Sequence, residues 1–288
     1  MIYSLCLYGY RIKKTICLGC ANMIQTVHIK TMKQVEELAF QQKRDNKIHR
    51  LRNTYLYRGL SNKKYKLTTS LQRSCQEKAE ELEPFLLRNF AKYVSIIDPT
   101  VDESDWKAMI VGQHHGLPTR LMDWTISVPM ALNFAVSEDN LEDLDKHDCA
   151  VWRIDAKEIN SFLPKEYKDG MKSGANVYTV KDLNNVVGTI EKYDNDMGDK
   201  AFITLDPPSI DERIVNQFSY FTVMPKGIKD LESYLDTHTK NTVKYIIDKN
   251  LRWNIRDTLD QWNINERTVY PGFDGIAKWL KRYYYVKH

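Results

Sequence analysis

The 288-residue chain has no run approaching the roughly 18 apolar residues that a bilayer-spanning helix requires, so no membrane segment is expected. It is also poor in cysteine. Cys6, Cys17, Cys20, Cys75 and Cys149 are odd in number and scattered, unlike the disulfide framework of a small secreted domain. A reducing compartment follows from that scatter. The Cys17-x-x-Cys20 pair has the spacing of half a zinc site, but no second Cys or His pair of matching spacing follows it, and no metal is expected. Charge of one sign is lacking too: 42 Lys and Arg are interspersed with 38 Asp and Glu for a net +4, too weak a bias to favour nucleic acid as a partner. At the N-terminus, "MIYSLCLYGYRIKK" carries its positive charges after its apolar part, the reverse of a secretory signal. The expected location is the cytoplasm.

What is present is an ordinary globular composition, 42% hydrophobic and 11% aromatic, at a length near the upper limit for one core. Residues 1–22 show no periodicity and are read as an extension outside the fold, or the product of an upstream start codon. Residues 23–288 read as one domain. "IQTVHIK" is a short strand, and Thr31 caps a helix that buries Val35, Leu38 and Ala39. "TYLYRG" is a strand ending at Gly59. Helices are expected over about 71–97, with a break before Pro84, and over 103–115. There Trp106, Met109, Ile110, Gln113 and His114 share one stripe while His115 turns away. A buried helix, "SVPMALNFAVSE", follows a turn through Pro118. Strands are expected at 149–156, 200–206, 219–225 and 243–248, with helices between them. The class is α+β, with a helix-rich first half and a mixed, mostly antiparallel sheet in the second.

Three polar clusters are candidates for chemistry. Arg58, at the end of a strand, suits bidentate binding of a phosphate or carboxylate, and Gly59 lets the chain turn or a ligand approach its backbone. In "GQHHGLPTRLMDWT", residues 112–125, Arg120 and Asp123 lie three apart as a candidate pair. His114 or Arg120 can orient Asp123, and Thr119 and Thr125 supply hydroxyls. Adjacent histidines on a helix diverge and chelate one ion poorly, and the stretch holds no nucleophilic Ser or Cys. In "DERIVNQFSYFTV", Arg213 and Gln217 stand four residues apart and can reach a common cleft. Near the C-terminus Asp274 is placed to cap a last helix. Ile276, Leu280 and Tyr283 or Tyr284 would pack its inner face.

Read in order, "YRG" at 57–59, "KLTTSLQR" at 66–73, "GQHHGLPTRLMDWT" with "PMALNFA", "RIVNQFSYFTV" and "VYPGFDGIAKWL" resemble the FRG domain, a family of bacteria and their phages, over roughly residues 24–284. The order of an arginine, a hydroxyl-bearing turn and an "ALxFA" helix is also similar, more loosely, to ADP-ribosyltransferases. That likeness implies NAD as substrate, with Arg58 on its phosphates and the turn from Thr119 to Thr125 beside the nicotinamide. Those enzymes also use a late glutamate in a Gln/Glu-x-Glu pattern, which this chain lacks in its strand-rich half. Gln217 has no carboxylate to take the role, which leaves Asp123.

The expected ligand is therefore a small phosphate-bearing molecule, held by Arg58, Gly59, Gln113, Thr119, Arg120, Thr125 and Arg213, with Asp123, His114 and Gln217 as candidate catalytic groups. The resemblance allows a protein acceptor and a role in conflict between bacteria and phages. Two alternatives stand beside it. One is a sensor or interaction module whose motif residues form a buried structural network, so that Arg120→Ala and Asp123→Ala both unfold it. The weaker one is a nucleic-acid binder or nuclease, drawing on the basic, aromatic tail "KWLKRYYYVKH".

Overall fold

The computed structural model describes residues 24–287 apart from 42, 43, 47, 53, 173 and 174. The expected leader, residues 1–22 with Cys6, Cys17 and Cys20, lies outside the described residues. Eight strands form one sheet: β1 (Gln25–Ile29), β2 (Tyr55–Leu60), β3 (Leu121–Thr125), β4 (Cys149–Asp155), β5 (Tyr178–Thr179), β6 (Ile203–Asp206), β7 (Ser219–Val223) and β8 (Val243–Ile247). Their spatial order is β1-β8-β4-β2-β3-β7-β6-β5. The two edge pairs, β1 with β8 and β5 with β6, are parallel, and every other neighbour is antiparallel. The class is α+β and the sheet is mostly antiparallel. It is not confined to the second half of the chain, because β1, β2 and β3 come from the first half and two of them lie at its centre.

Helices cover both faces of the sheet. Among them, α1 (Met32–Ala39), α2 (Ser70–Cys75), α3 (Ala79–Val94), α4 (Asp105–His114) and α5 (Val128–Ala135) precede β4. Alternation along the central strands supplies both cores: Cys149 and Val151 of β4 pack with Tyr57 and α5, whereas Trp152 and Ile154 pack opposite them with Leu56, Trp124 and Leu235. A third cluster, built on Trp106, Leu121, Tyr193 and Ile203, lies under α4. No helix of the described residues is long and apolar enough to cross a membrane.

Local chemistry explains the helix starts. Thr31 caps α1 in a reciprocal box with Gln34, and Ser127 accepts the Met130 N–H at the start of α5, where Pro129 occupies the first turn and sacrifices no internal bond. The break expected before Pro84 falls instead at Gln76, which closes α2 with a positive φ of 49°, while Pro84 sits within the early part of α3. Asp274 does not cap the last helix. Gly272, at φ 108°, is the residue before its first turn, and Asp274 lies inside that turn, where its charge suits the helix N-terminus.

Gly59 has a specific task. It lies one residue before the end of β2, and a Cβ there would overlap the Ala131 carbonyl oxygen of α5, so glycine permits the helix backbone to press onto the sheet. The close approach expected of a ligand is made by a helix. Gly59→Ala is expected to lower stability by about 1–3 kcal/mol through overpacking, read from the urea midpoint; an unchanged midpoint would show that α5 can move away.

Candidate functional site

The strand β2 pairs with β4 along all six of its residues but with β3 only at Tyr57 and Thr125. Beyond that one pair the two central strands part, and a cleft of about 830 Å³ opens along the gap. Arg58 spans it. Its Nη1 donates to the Asp123 carbonyl oxygen at 2.6 Å and lies 3.6 Å from the Asp123 carboxylate. Its side chain is 18% exposed, and burial lowers the guanidinium pKa from its usual value against the opposing pull of Asp123. The buried Nε–H has no hydrogen-bond partner. This mostly buried arginine, paired on one side, keeps donor capacity that its protein partners leave unused.

Asp123 is the one exposed residue of β3. Gln113, at the end of α4, holds it through an Nε2 donation of 3.0 Å to Oδ2. The amide is oriented because Gln113 Oε1 accepts from the Thr119 hydroxyl at 2.6 Å, and that hydroxyl in turn accepts the Leu121 N–H at 3.1 Å. Thr119 is therefore outside the cleft yet positions a group within it. Thr125, buried, donates to the Gln217 carbonyl at 2.8 Å and accepts the Ser127 N–H at 3.1 Å, tying β3 to α5 and to the helix Glu212–Gln217.

Of the residues singled out from sequence, Arg58, Gly59, Gln113, Asp123, Thr125, Arg213 and Gln217 line this one cleft. Gln217 is buried and donates to the Val269 carbonyl at 3.1 Å, so its amide serves the backbone. Arg213 is exposed, with its guanidinium 5.1 Å from the Tyr270 ring centroid.

Two expected contacts are not formed. Arg120 does not pair with Asp123, because side chains three apart on a strand point to opposite faces. The Met224 N–H donates to the Arg120 carbonyl, which carries the strand geometry back to that residue. Arg120 is instead buried against Glu83 of α3, through Nε at 2.7 Å and Nη2, and against Asp194, through Nη1 at 2.5 Å. These partners raise its pKa above the usual value against the cost of burial. His114 does not reach Asp123 either. Its Nε2 meets the Asp211 carboxylate in a neighbouring depression, and burial lowers its pKa from the usual value against the opposing pull of Asp211. Among the described residues no group of three or more His, Cys, Asp or Glu side chains is placed to hold a metal ion.

Sequence reasoning missed the basic wall of the cleft. Lys64, Lys66 and Arg73 line it from the segment that follows β2, with Tyr65 between the lysines, and Arg73 is fixed by an Nη1 donation of 2.5 Å to the Thr68 carbonyl. The density of Lys and Arg immediately after "YRG" was the available signal. The lining thus sets five cationic side chains, Arg58, Lys64, Lys66, Arg73 and Arg213, against one carboxylate, Asp123.

The family model of the FRG domain matches residues 53–144, a stretch that contains Arg58, the basic wall, Gln113, Asp123 and Thr125 and ends before Arg213 and Gln217. No curated protein and no solved structure matches the chain.

Proposed function

Because this chain carries an FRG domain across residues 53–144, and that domain builds most of the cleft, we propose that the cleft binds a phosphate-bearing ligand. The observation that carries this reading is the charge of the lining, five cations to one carboxylate in a space of about 830 Å³. That volume falls in the range of small-molecule and cofactor sites, about 300–1,000 Å³. Arginine forks match phosphate oxygens, and the lysines add charge that need not be placed so closely.

NAD is the ligand that we set first within this class. Tyr65 and Phe134 also line the cleft and offer apolar surface for a base, and Asp123 is the only carboxylate in the lining. In this reading Arg58 and the basic wall hold the diphosphate, and Asp123 faces the ribose. As the bond from ribose C1′ to nicotinamide breaks, its electron pair leaves with the nicotinamide nitrogen. Asp123 stabilises the positive charge that develops on the sugar, which water or an acceptor side chain on another protein then captures. The reaction belongs in the cytoplasm, and its resemblance-based setting is conflict between bacteria and phages.

Titration calorimetry with ADP-ribose and NAD, beside an assay of nicotinamide release, tests both levels. Wild type is expected to bind both and to release nicotinamide. Asp123→Asn is expected to keep ADP-ribose binding and lose about 10²- to 10⁴-fold in release rate. Binding without release would remove the NAD chemistry and leave the binding site standing; no binding of either compound would remove both.

A further inference from the structure

The last helix, Phe273–Tyr283, is turned inside out relative to its sequence pattern. Phe273, Ile276, Ala277, Leu280 and Tyr284 follow one another at helical spacing and form a single stripe, which sequence periodicity assigns to the core. In the structure the residues buried from this helix are Gly275 and Arg282, on the side opposite the stripe. Gly275 presses on the backbone at Tyr270, where a Cβ would not fit. Arg282 donates from Nε to Glu266 at 2.6 Å and from both Nη atoms to Asp260 at 2.7 Å. These anchors fix the rotation of the helix, so the stripe faces away from the protein. Phe273 is 92% exposed, Ile276 40%, Leu280 39% and Tyr284 75%. A contiguous apolar stripe on a polar surface marks a contact site.

The charges beside the stripe say what covers it. Asp274 and Lys281 lie seven residues apart, two helical turns, and therefore on the same flank at opposite ends. Both are exposed, and neither has an ion-pair partner among the described residues. A second copy of the same helix, laid antiparallel, brings its Lys281 to Asp274 and its Asp274 to Lys281. The pair of contacts repeats by the two-fold axis, as in any isologous interface. Phe273, Ile276, Leu280 and Tyr283 have the three-four spacing with which two helices interlock, and the antiparallel arrangement sets the Phe273 end of each stripe against the Tyr284 end of the other. An anionic bilayer would meet Lys281 favourably but set Asp274 against like charge.

We propose that the outward face of Phe273–Tyr283 pairs antiparallel with the same face of a second copy of this chain. The dimer uses neither the cleft nor its ligand. Sedimentation equilibrium of the full chain is expected to show a concentration-dependent species of twice the chain mass. Leu280→Asp is expected to give monomer with an unchanged circular dichroism spectrum. Asp274→Lys and Lys281→Asp alone should each weaken association by about tenfold or more, since like charges then meet across the axis. The double reversal, Asp274→Lys with Lys281→Asp, should restore it. A wild-type chain that stays monomeric at every concentration, with or without sedimentation on phosphatidylserine vesicles, overturns the proposal. So does a dimer that is indifferent to the single reversals.

Discussion

Replacing Arg120 with alanine is expected to remove about 3–5 kcal/mol of stability, the usual cost of deleting one partner from a buried ion pair. Arg120 is 4% exposed and Glu83 3%, and the two are joined through both Nε and Nη2. Asp194 binds Nη1 and also accepts the Lys226 N–H at 3.0 Å, so one guanidinium links α3, the start of β3, the helix Ile190–Met197 and the chain after β7. Alanine would leave two carboxylates facing a void without compensating charge. Proteins of this size hold only about 5–15 kcal/mol in reserve, so the loss is a large fraction of the whole. Asp123→Ala removes an exposed side chain and is expected to change stability by no more than about 0.5–1 kcal/mol. Urea denaturation of the two variants beside wild type reads the contrast. Equal losses in both would restore the single buried network that stood as an alternative in the sequence.

Arg58→Gln is expected to weaken ADP-ribose binding by about two orders of magnitude while the protein stays folded. Deleting one member of a charge-assisted contact costs about 2–5 kcal/mol of binding, and every 1.4 kcal/mol is a factor of ten. Glutamine retains a donor for the Asp123 carbonyl, so the bridge across the parted strands is partly kept. Arg58→Lys keeps the charge but loses the fork, and should fall between the two. Wild-type affinity should also decline with added salt, because part of it comes from Lys64, Lys66 and Arg73 on an open rim. Calorimetry that found Arg58→Gln equal to wild type would detach the ligand from this arginine.

How far the sequence led depends on the range of each interaction. Caps and buried helix stripes are local, and Thr31, Ser127 and the inward face of α5 were legible in it. The strand β3 was not. Leu121, Met122 and Trp124 all lie in cores because the strand is central and covered on both faces, so it shows no alternation, and Asp123 and Thr125 make it look like the continuation of a polar turn. From that one misreading followed the expected Arg120–Asp123 pair, since spacing three joins residues on a helix and separates them on a strand. The true partners of Arg120 stand 37 and 74 residues away, and no local pattern reports them. The last helix shows the complementary limit: periodicity identifies its two faces, but which of them points inward is decided by Arg282 and its carboxylates.

In the proposed function Arg58 of β2 holds the ligand, whereas Arg120, just before β3, holds the fold. The Nε–Hε resonances of the two side chains, assigned with Arg58→Lys and followed by NMR during titration with ADP-ribose, test that division directly. The Arg58 signal should shift with saturation while the Arg120 signal stays in place. An Arg58 signal unmoved by ligand, or an Arg120 signal that moves in its stead, would contradict it.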